Sequence, residues 1–209
     1  MNGSFPPQFQ STVDVSIVFK ENLRNCARID RVLDSFYNSF DPADERRKLI
    51  ISEYINTAGK TVSLLNNNNT RSFKYVPDPD AVGNSHGNDI AVIRYADILL
   101  SRAEALNEMN GPTQEALDLI QEVRDRAGLT TPLVLGDYTK ESLRDRILDE
   151  RGWELYAEKV RRQDLLRHDR FISSAKARGI TNADEHHKLF PIPQTEINAN
   201  PLCEQNSGY

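Results

Sequence analysis

The apolar residues of the central part of the chain recur with a helical period. Between Ala96 and Leu106 they return every three or four positions, and Asn110-Gly111-Pro112 ends that pattern. Thr113 can cap a second helix, which should end before Gly128. Two helices joined by a short turn predict an αα-hairpin.

The same period continues in two further segments. A third helix is expected to start at Thr139, because Tyr138 and Leu143 are spaced for a hydrophobic staple, and a fourth should cover Val160 to about Arg170. Successive helix pairs are typical of tetratricopeptide-type arrays, although two repeats fall short of the three or so that such stacks need. The sequence therefore predicts a mainly α fold with tetratricopeptide-like helix pairs.

The pattern that precedes these helices is irregular. Residues 30–37 predict a helix, and Asp41-Pro42 reads as a second helix start. Between Ile50 and Tyr75 short β-prone pieces predict strands or loops joined by turns, with the asparagine run 66–69 at a loop tip.

The end of the chain combines prolines with widely spaced large apolar side chains. Three prolines between Leu189 and Tyr209 exclude a continuous helix, so an extended tail is expected, which should cover apolar surface of the helix pairs. We thus predict an irregular segment over residues 1–93, with short helices and strands, and a helical region with an extended tail over residues 94–209. Together they would form one compact unit, a fragment of a larger domain.

Composition and charge narrow the range of functions. The 209 residues carry a net charge of −5, and acidic and basic residues are mixed along the chain. A nucleic-acid partner is therefore not expected, since such binders present a basic face. The longest apolar runs are about four residues, far below the roughly 18 that a membrane helix needs. The first residues show neither a secretory signal nor a lipobox.

One dense charge cluster raises the question of catalysis. Glu150, Glu154 and Glu158 are spaced to line one helical face, which could support acid–base or metal chemistry. Neighbouring arginines favour ion pairing instead. We predict a partly buried structural ion-pair network that ties the last two helices together, formed by Arg151, Glu154, Asp164 and Arg167.

Other candidate sites have weaker support. Residues 184–187 are rich in metal-ligand types without a zinc spacing, and residues 78–89 match a calcium loop at positions 1, 3, 6 and 12 only. Trp153 could offer a platform for a sugar, but a packing anchor is favoured. No phosphate-binding or nucleophile motif is present in the sequence. We therefore predict no catalytic residues, no metal site and no cofactor.

Several short motifs follow one another in an order that is typical of one family. They are Ser35 to Arg46, Asn88 to Leu100, Ala103 to Glu108, Val123 to Gly128, Glu150 to Leu155, Arg161 to Arg167, Leu189 to Gln194, and Gln205 to Tyr209. In this order the chain resembles the C-terminal part of the SusD/RagB outer-membrane nutrient-binding proteins. Lys159, Cys203 and Ser207 depart from that pattern, since the family often has Gly, Leu and Pro there.

This resemblance implies a function that the residues alone do not. It covers the chain from about Arg28 onward and less than half of a full-length member. It implies a non-catalytic lipoprotein on the outward face of the cell outer membrane. Such a protein captures a nutrient and passes it to a TonB-dependent, SusC-like transporter. The preferred nutrient is a glycan, and a peptide is the alternative. The sequence assigns no binding residues.

Two other classes of protein remain open at this point. A cytoplasmic tetratricopeptide-like adaptor that binds peptides would fit the helix pairs, but it would have no use for the closing segment from Leu189. A glycan-cleaving hydrolase would need a separate pair of carboxylates, which the sequence does not suggest.

Overall fold

A computed structural model describes residues 31–56, 58–75 and 89–209 of the chain. These residues form two compact units, one that ends at Ala157 and one that runs from Glu158 to Tyr209. The boundary expected between residues 93 and 94 stays a prediction.

The described residues of the first unit form five short strands and four α-helices. The strands are β1 (Arg31–Val32), β2 (Ile50–Ile51), β3 (Glu53–Ile55), β4 (Thr61–Ser63) and β5 (Thr70–Ser72). The helices are α1 (Asp34–Tyr37), α2 (Tyr95–Asn110), α3 (Gln114–Arg126) and α4 (Lys140–Leu155). The described part of the unit also contains two 3-10 helices, Glu45–Leu49 and Leu135–Asp137.

The strands form two small antiparallel sheets. Strand β5 lies between β1 and β2, and β3 pairs with β4 in a separate hairpin. Asn66 and Asn68 both have a positive φ in the turn that precedes β5, which asparagine tolerates better than most residues. Asn68 also exchanges hydrogen bonds with Asp34, at 2.9 and 3.0 Å. The predicted loop tip is thus confirmed, and the Asn68 side chain links the turn to α1.

The predicted αα-hairpin is confirmed in α2 and α3. Gly111 ends α2 with a φ of 77°, and the hydroxyl of Thr113 accepts a hydrogen bond from the Ala116 amide at the start of α3. Gly128 follows α3 with a φ of 82°, as its expected place after the helix requires.

Helix α4 completes the main core. Thr139 and Ser142 form a capping box at its start. Leu143 and Ile147 are buried against the facing sides of α2 and α3, where Leu100, Leu117 and Ile120 are also fully buried. The mainly α prediction with tetratricopeptide-like helix pairs is confirmed, because α2, α3 and α4 share one apolar core.

Two expectations for the irregular segment are wrong. A helix is predicted over residues 30–37, but residues 31–37 form β1 and only one turn of helix, α1, because Arg31 and Val32 pair with β5. The helix expected from Asp41-Pro42 starts later, as the 3-10 helix Glu45–Leu49, where Asp44 caps it through its carboxylate. The predicted strands are confirmed.

A second core in this unit is aromatic. Phe40 packs edge-to-face against Tyr156, with ring centroids 6.0 Å apart, and Val32 and Ile50 are buried beside them. Trp153 lies on the same cluster and donates a hydrogen bond from Nε1 to Ser39 Oγ at 2.9 Å. The favoured role of Trp153 as a packing anchor is thus confirmed.

The second unit contains three short helices. They are α5 (Arg161–Arg167), α6 (Phe171–Ala177) and α7 (Gln194–Ala199), with a 3-10 helix at Glu185–Lys188. The single helix expected over residues 160–170 is therefore too long, because α5 ends at Arg167 and a turn at residues 168–170 precedes α6. None of the helices in the described part of the chain has the length and apolar run needed to cross a membrane.

The closing segment from Leu189 is largely extended, as predicted, but it is not buried. No residue after Ala183 is buried, and Phe190 and Leu202 are 69% and 92% exposed. The expectation that these side chains are buried over other surface is wrong in this structure. Polar bonds hold the segment instead, among them Tyr209 to the Leu189 carbonyl at 3.0 Å.

The chain segment that follows α4 has unusual backbone angles. Ala157 and Lys159 have φ values of 61° and 66°, in the left-handed region that favours glycine. Helix α4 therefore ends sharply at Leu155, and Glu158 lies outside it. The expectation that Glu158 shares one helical face with Glu150 and Glu154 is wrong for this reason.

Candidate functional site

The second half of α4 carries charges into the interior of the first unit. Glu150 and Glu154 are one helical turn apart and are 0% and 1% exposed. Burying a carboxylate without a partner is costly, so both must be compensated nearby. Most of the compensating cations come from distant parts of the chain.

Arg46 is the centre of this compensation. It is 3% exposed, and its guanidinium lies 2.7 Å from Asp44, 2.8 Å from Glu150 and 3.2 Å from Glu154. Burial alone would lower the pKa of Arg46, but its hydrogen bond to Asp44 and the charge of Glu150 outweigh burial and raise it. Arg46 is therefore permanently charged and joins the 3-10 helix at residues 45–49 to α4.

Glu154 is surrounded by positive charge. Arg94 and Arg126 approach its two carboxylate oxygens at 2.9 and 2.5 Å, in addition to Arg46. Burial would raise the pKa of Glu154, but the charges of Arg126, Arg94, Arg46 and Lys74 together lower it below its ordinary value. Glu154 is thus fixed in its ionised form.

Glu150 has its own set of cations. Arg146, one turn earlier in α4, lies 2.7 Å from it, and Arg124 of α3 lies 3.9 Å away. Burial and then the charge of Arg146 lower the pKa of Arg124. The cations around Glu150 are therefore crowded together.

The end of α4 is capped by cations as well. Lys74 donates to the carbonyls of Glu154 and Tyr156, and Arg94 Nη2 donates to the Glu154 carbonyl at 3.1 Å. The last carbonyls of a helix lack intrahelical partners and carry partial negative charge, so they favour such cations.

A small cavity of about 60 Å³ opens beside this cluster. Four basic side chains line it, together with one carboxylate; these residues are Arg46, Lys74, Arg94, Arg126 and Glu154. Its other walls are apolar or aromatic, from Leu49, Trp153 and Tyr156. Lys74 lies over the Tyr156 ring at 4.7 Å from its centroid, which holds cation and ring together. This cavity is our candidate functional site.

The structure distributes the predicted ion-pair network over both units. In the first unit Arg151 lies 2.7 Å from Asp97, and Glu154 binds the cations described above. In the second unit Arg167 lies 3.0 Å from Asp164. The link between the last two helices stays a prediction. Sequence reasoning assigned no role to Arg46, although the Asp44-Glu45-Arg46 motif lies in the segment from Ser35 to Arg46 that carries part of the family resemblance.

The other candidates from the sequence do not form a site in the described residues. Positions 78–88 of the calcium-loop pattern lie outside them. His186 and His187 stack with ring centroids 3.8 Å apart in the 3-10 helix of the second unit. In the part of the chain that the structure describes, no three side chains of ligand type are grouped to hold a metal ion.

Comparison with known proteins places this fold in a family context. The sequence model of the SusD family matches residues 52–209. SusD-like protein P25 of Formosa agariphila is 35% identical over 136 residues, which are 60% of this chain and 26% of that protein. Starch-binding protein SusD of Bacteroides thetaiotaomicron is 31% identical over 128 residues, 58% of this chain and 22% of that protein.

A solved structure extends the likeness to three dimensions. A laminarin-binding SusD-like protein superimposes with a TM-score of 0.62 at 26% identity, over 86% of this chain and 38% of that chain. The matched part of this chain thus spans about a quarter of its curated relatives and less than half of the solved one.

Proposed function

The chain belongs to the SusD family, and on that premise we propose that it contributes to binding a glycan for nutrient uptake. The observation that supports this most directly is its likeness to a laminarin-binding SusD-like protein over 86% of its length. The relation to a starch-binding protein at 31% identity points to the same class of ligand. None of the relatives named above is described as a peptide binder, so a glycan is preferred to the peptide that the sequence left open.

The proposed binding is non-catalytic. A glycosidase of the common kind needs one carboxylic acid with a raised pKa to protonate the leaving group. Glu154 has the opposite property, because its arginine partners lower its pKa. Glu150 likewise faces Arg46 and Arg146 within 2.8 Å. Both carboxylates therefore serve as ion-pair partners, and no pair is left in this cluster for acid–base catalysis.

The full-length protein, we propose further, lies on the outward face of the outer membrane and passes its glycan to a TonB-dependent, SusC-like transporter. Family membership is the support for this location and this partner. Surface labelling of intact cells that express the full-length protein tests the location, and co-purification of a SusC-like protein tests the partnership. A protein protected from the label would contradict the proposal.

Affinity electrophoresis tests glycan binding by this chain. The 209-residue protein is run through native gels that contain laminarin, starch or no polysaccharide. Retardation by at least one polysaccharide is expected, and bovine serum albumin run beside it should not be retarded. Incubation of the protein with the same polysaccharides should release no reducing ends. Unchanged mobility in every gel of a broad polysaccharide panel, or turnover lost in Glu150→Gln, would overturn the proposal.

A further inference from the structure

We propose that the outer face of α2 is an interface through which two copies of this chain form a symmetric dimer. This inference goes beyond the proposed glycan binding and does not depend on it. The support comes from the exposed apolar area of α2, from the way its residue sizes match in an antiparallel pair, and from one ion pair at its centre.

Helix α2 carries apolar residues on two opposite faces. One face is buried against α3 and α4 and includes Leu99, Leu100 and Ala103. The other face carries a second stripe, spaced by three and four residues, in which every member is exposed: Tyr95, Ile98, Arg102, Ala105 and Met109. The outer face of a surface helix is ordinarily polar. The outer face of α2 thus has the composition of a packing surface.

The exposed apolar area is large enough for an interface. Six large apolar side chains in and directly before α2 are more than half exposed; they are Ile90, Val92, Ile93, Tyr95, Ile98 and Met109. At roughly 120 Å² for each, they expose on the order of 700 Å² per copy. Apolar patches above a few hundred Å² mark interaction sites, and a stable interface buries about 800 Å² per partner. Two copies that meet through this surface therefore reach the size of a stable interface.

Residue sizes along the stripe match a second copy that runs in the opposite direction. With the twofold axis at Arg102, the middle member of the stripe, Tyr95 of each copy meets Met109 of the other, and Ile98 meets Ala105. Large side chains then lie against small or flexible ones, and the methionine sulfur contacts an aromatic ring favourably. A parallel pair would place Ala105 against Ala105 and leave a gap. Use of the same patch by both copies is what a closed, isologous dimer requires.

The charge at the centre of the stripe has a compensating partner. Arg102 pairs with Glu115 of α3, and their side chains are 62% and 53% exposed. Two such pairs meet at the axis, where each Arg102 can bind the Glu115 of its own copy or of the other copy. Two arginines and two glutamates then alternate in sign, whereas a shifted register would bring like charges together at a cost. The ion pair therefore specifies the register in which the two helices meet.

Sedimentation equilibrium of the 209-residue protein tests the dimer. Between about 1 and 100 µM the parent should approach twice the 23.8 kDa mass of one chain. Ile98→Glu should stay at the mass of one chain, because it places a charge in the apolar stripe. Leu202→Glu, a similar change at a position that is 92% exposed and lies outside α2, is the matched control and should dimerise like the parent.

Charge exchange between copies tests the position of the axis. Arg102→Glu and Glu115→Arg should each be monomeric, because each variant alone brings four like charges together at the axis. An equimolar mixture of the two should form a heterodimer, since one copy then supplies two acidic side chains and the other two basic ones. Rearranged pairing within one copy would not produce this result. Both changes lie at exposed positions, so folding, checked by circular dichroism, should be preserved.

The outcomes decide the proposal in either direction. A parent that keeps the mass of one chain over the whole range would overturn it, and so would open-ended association, because an isologous interface closes at two copies. Equal dimerisation of Ile98→Glu and the parent, or an equal loss in Leu202→Glu, would also contradict an interface on α2. A mixture of the two charge variants that remains monomeric would exclude antiparallel pairing at Arg102. The polysaccharide gels test glycan binding separately from all of these results.

Discussion

The two halves of α4 are buried to the same degree but differ in chemistry. The first half, around Leu143 and Ile147, is apolar, whereas the second half, from Glu150 to Glu154, is charged. The first half packs on α2 and α3 through apolar contacts, which have no preferred direction. The second half is satisfied only by particular partners, among them Arg46, 108 residues before Glu154. Apolar burial thus stabilises the helix pair, whereas the buried charges specify which distant segment must close against it.

Removing one charge should have the largest effect. Glu154→Gln leaves Arg46, Arg94 and Arg126 around a neutral group, and losing one partner of a buried network costs about 3–5 kcal/mol. Urea unfolding followed by circular dichroism measures the loss. Glu122→Gln, on the exposed side of α3, should stay within about 0.5 kcal/mol of the parent. Equal stability of the two variants would show that the charged half is not a network.

Truncating the apolar half should cost nearly as much. Leu143 is fully buried, and a Leu→Ala change in a core typically costs about 2–5 kcal/mol through lost burial and the cavity left behind. Leu202→Ala, at a position that is 92% exposed, is the control and should change stability by less than about 0.5 kcal/mol. A loss below about 1 kcal/mol for Leu143→Ala would mean that this core can collapse around the missing atoms.

Lowering the pH should reduce folding stability through the charged half of α4 and not through its apolar half. The pKa of Glu154 is lower in the folded protein than its ordinary value, so its stabilising contribution is present above that ordinary value, about 4.3, and is lost as the pH falls through the folded pKa. Between about pH 5 and pH 3 the parent should therefore lose more stability than Glu154→Gln. Leu143→Ala should follow the parent. Parallel curves for the parent and Glu154→Gln would contradict the lowered pKa.

The closing segment from Leu189 differs from both halves of α4, because it contains neither buried apolar side chains nor buried charges. The Gln205 side chain accepts from the Ile192 amide at 2.8 Å and donates to its carbonyl at 2.9 Å. Gln205→Ala should speed amide exchange over residues 190–209 and lower overall stability by less than about 1 kcal/mol, because single hydrogen bonds contribute little net. Exchange that stays slow would show that other contacts hold the segment.

Local signals in the sequence predicted the helical part well. Thr113, Gly111 and the apolar period of α2 and α3 act within a few residues of one another, so the hairpin follows from short-range rules. The capping box of α4 is equally local. The α1 region failed, because Arg31 and Val32 adopt strand geometry through pairing with β5, about forty residues later.

The candidate site could be predicted only in part. The sequence indicated that Glu154 is paired with arginines, but Arg46, Arg94 and Arg126 reach it from three separate elements. Nothing in their spacing brings these residues together, since tertiary packing of the 3-10 helix against α4 does so. The burial expected for Leu189 and Phe190 failed for a related reason, because large apolar residues in a sequence do not say what surface will cover them.

The left-handed backbone at Lys159 affects which substitutions at this position change folding stability. A non-glycine residue in that conformation costs about 1–2 kcal/mol, and the lysine is exposed. Glycine would adopt the same angles without steric cost, although it would make the unfolded chain more flexible and so return part of the gain. Exchange between lysine and glycine at this position is therefore nearly neutral or mildly stabilising, and it can offset the damage of a substitution elsewhere.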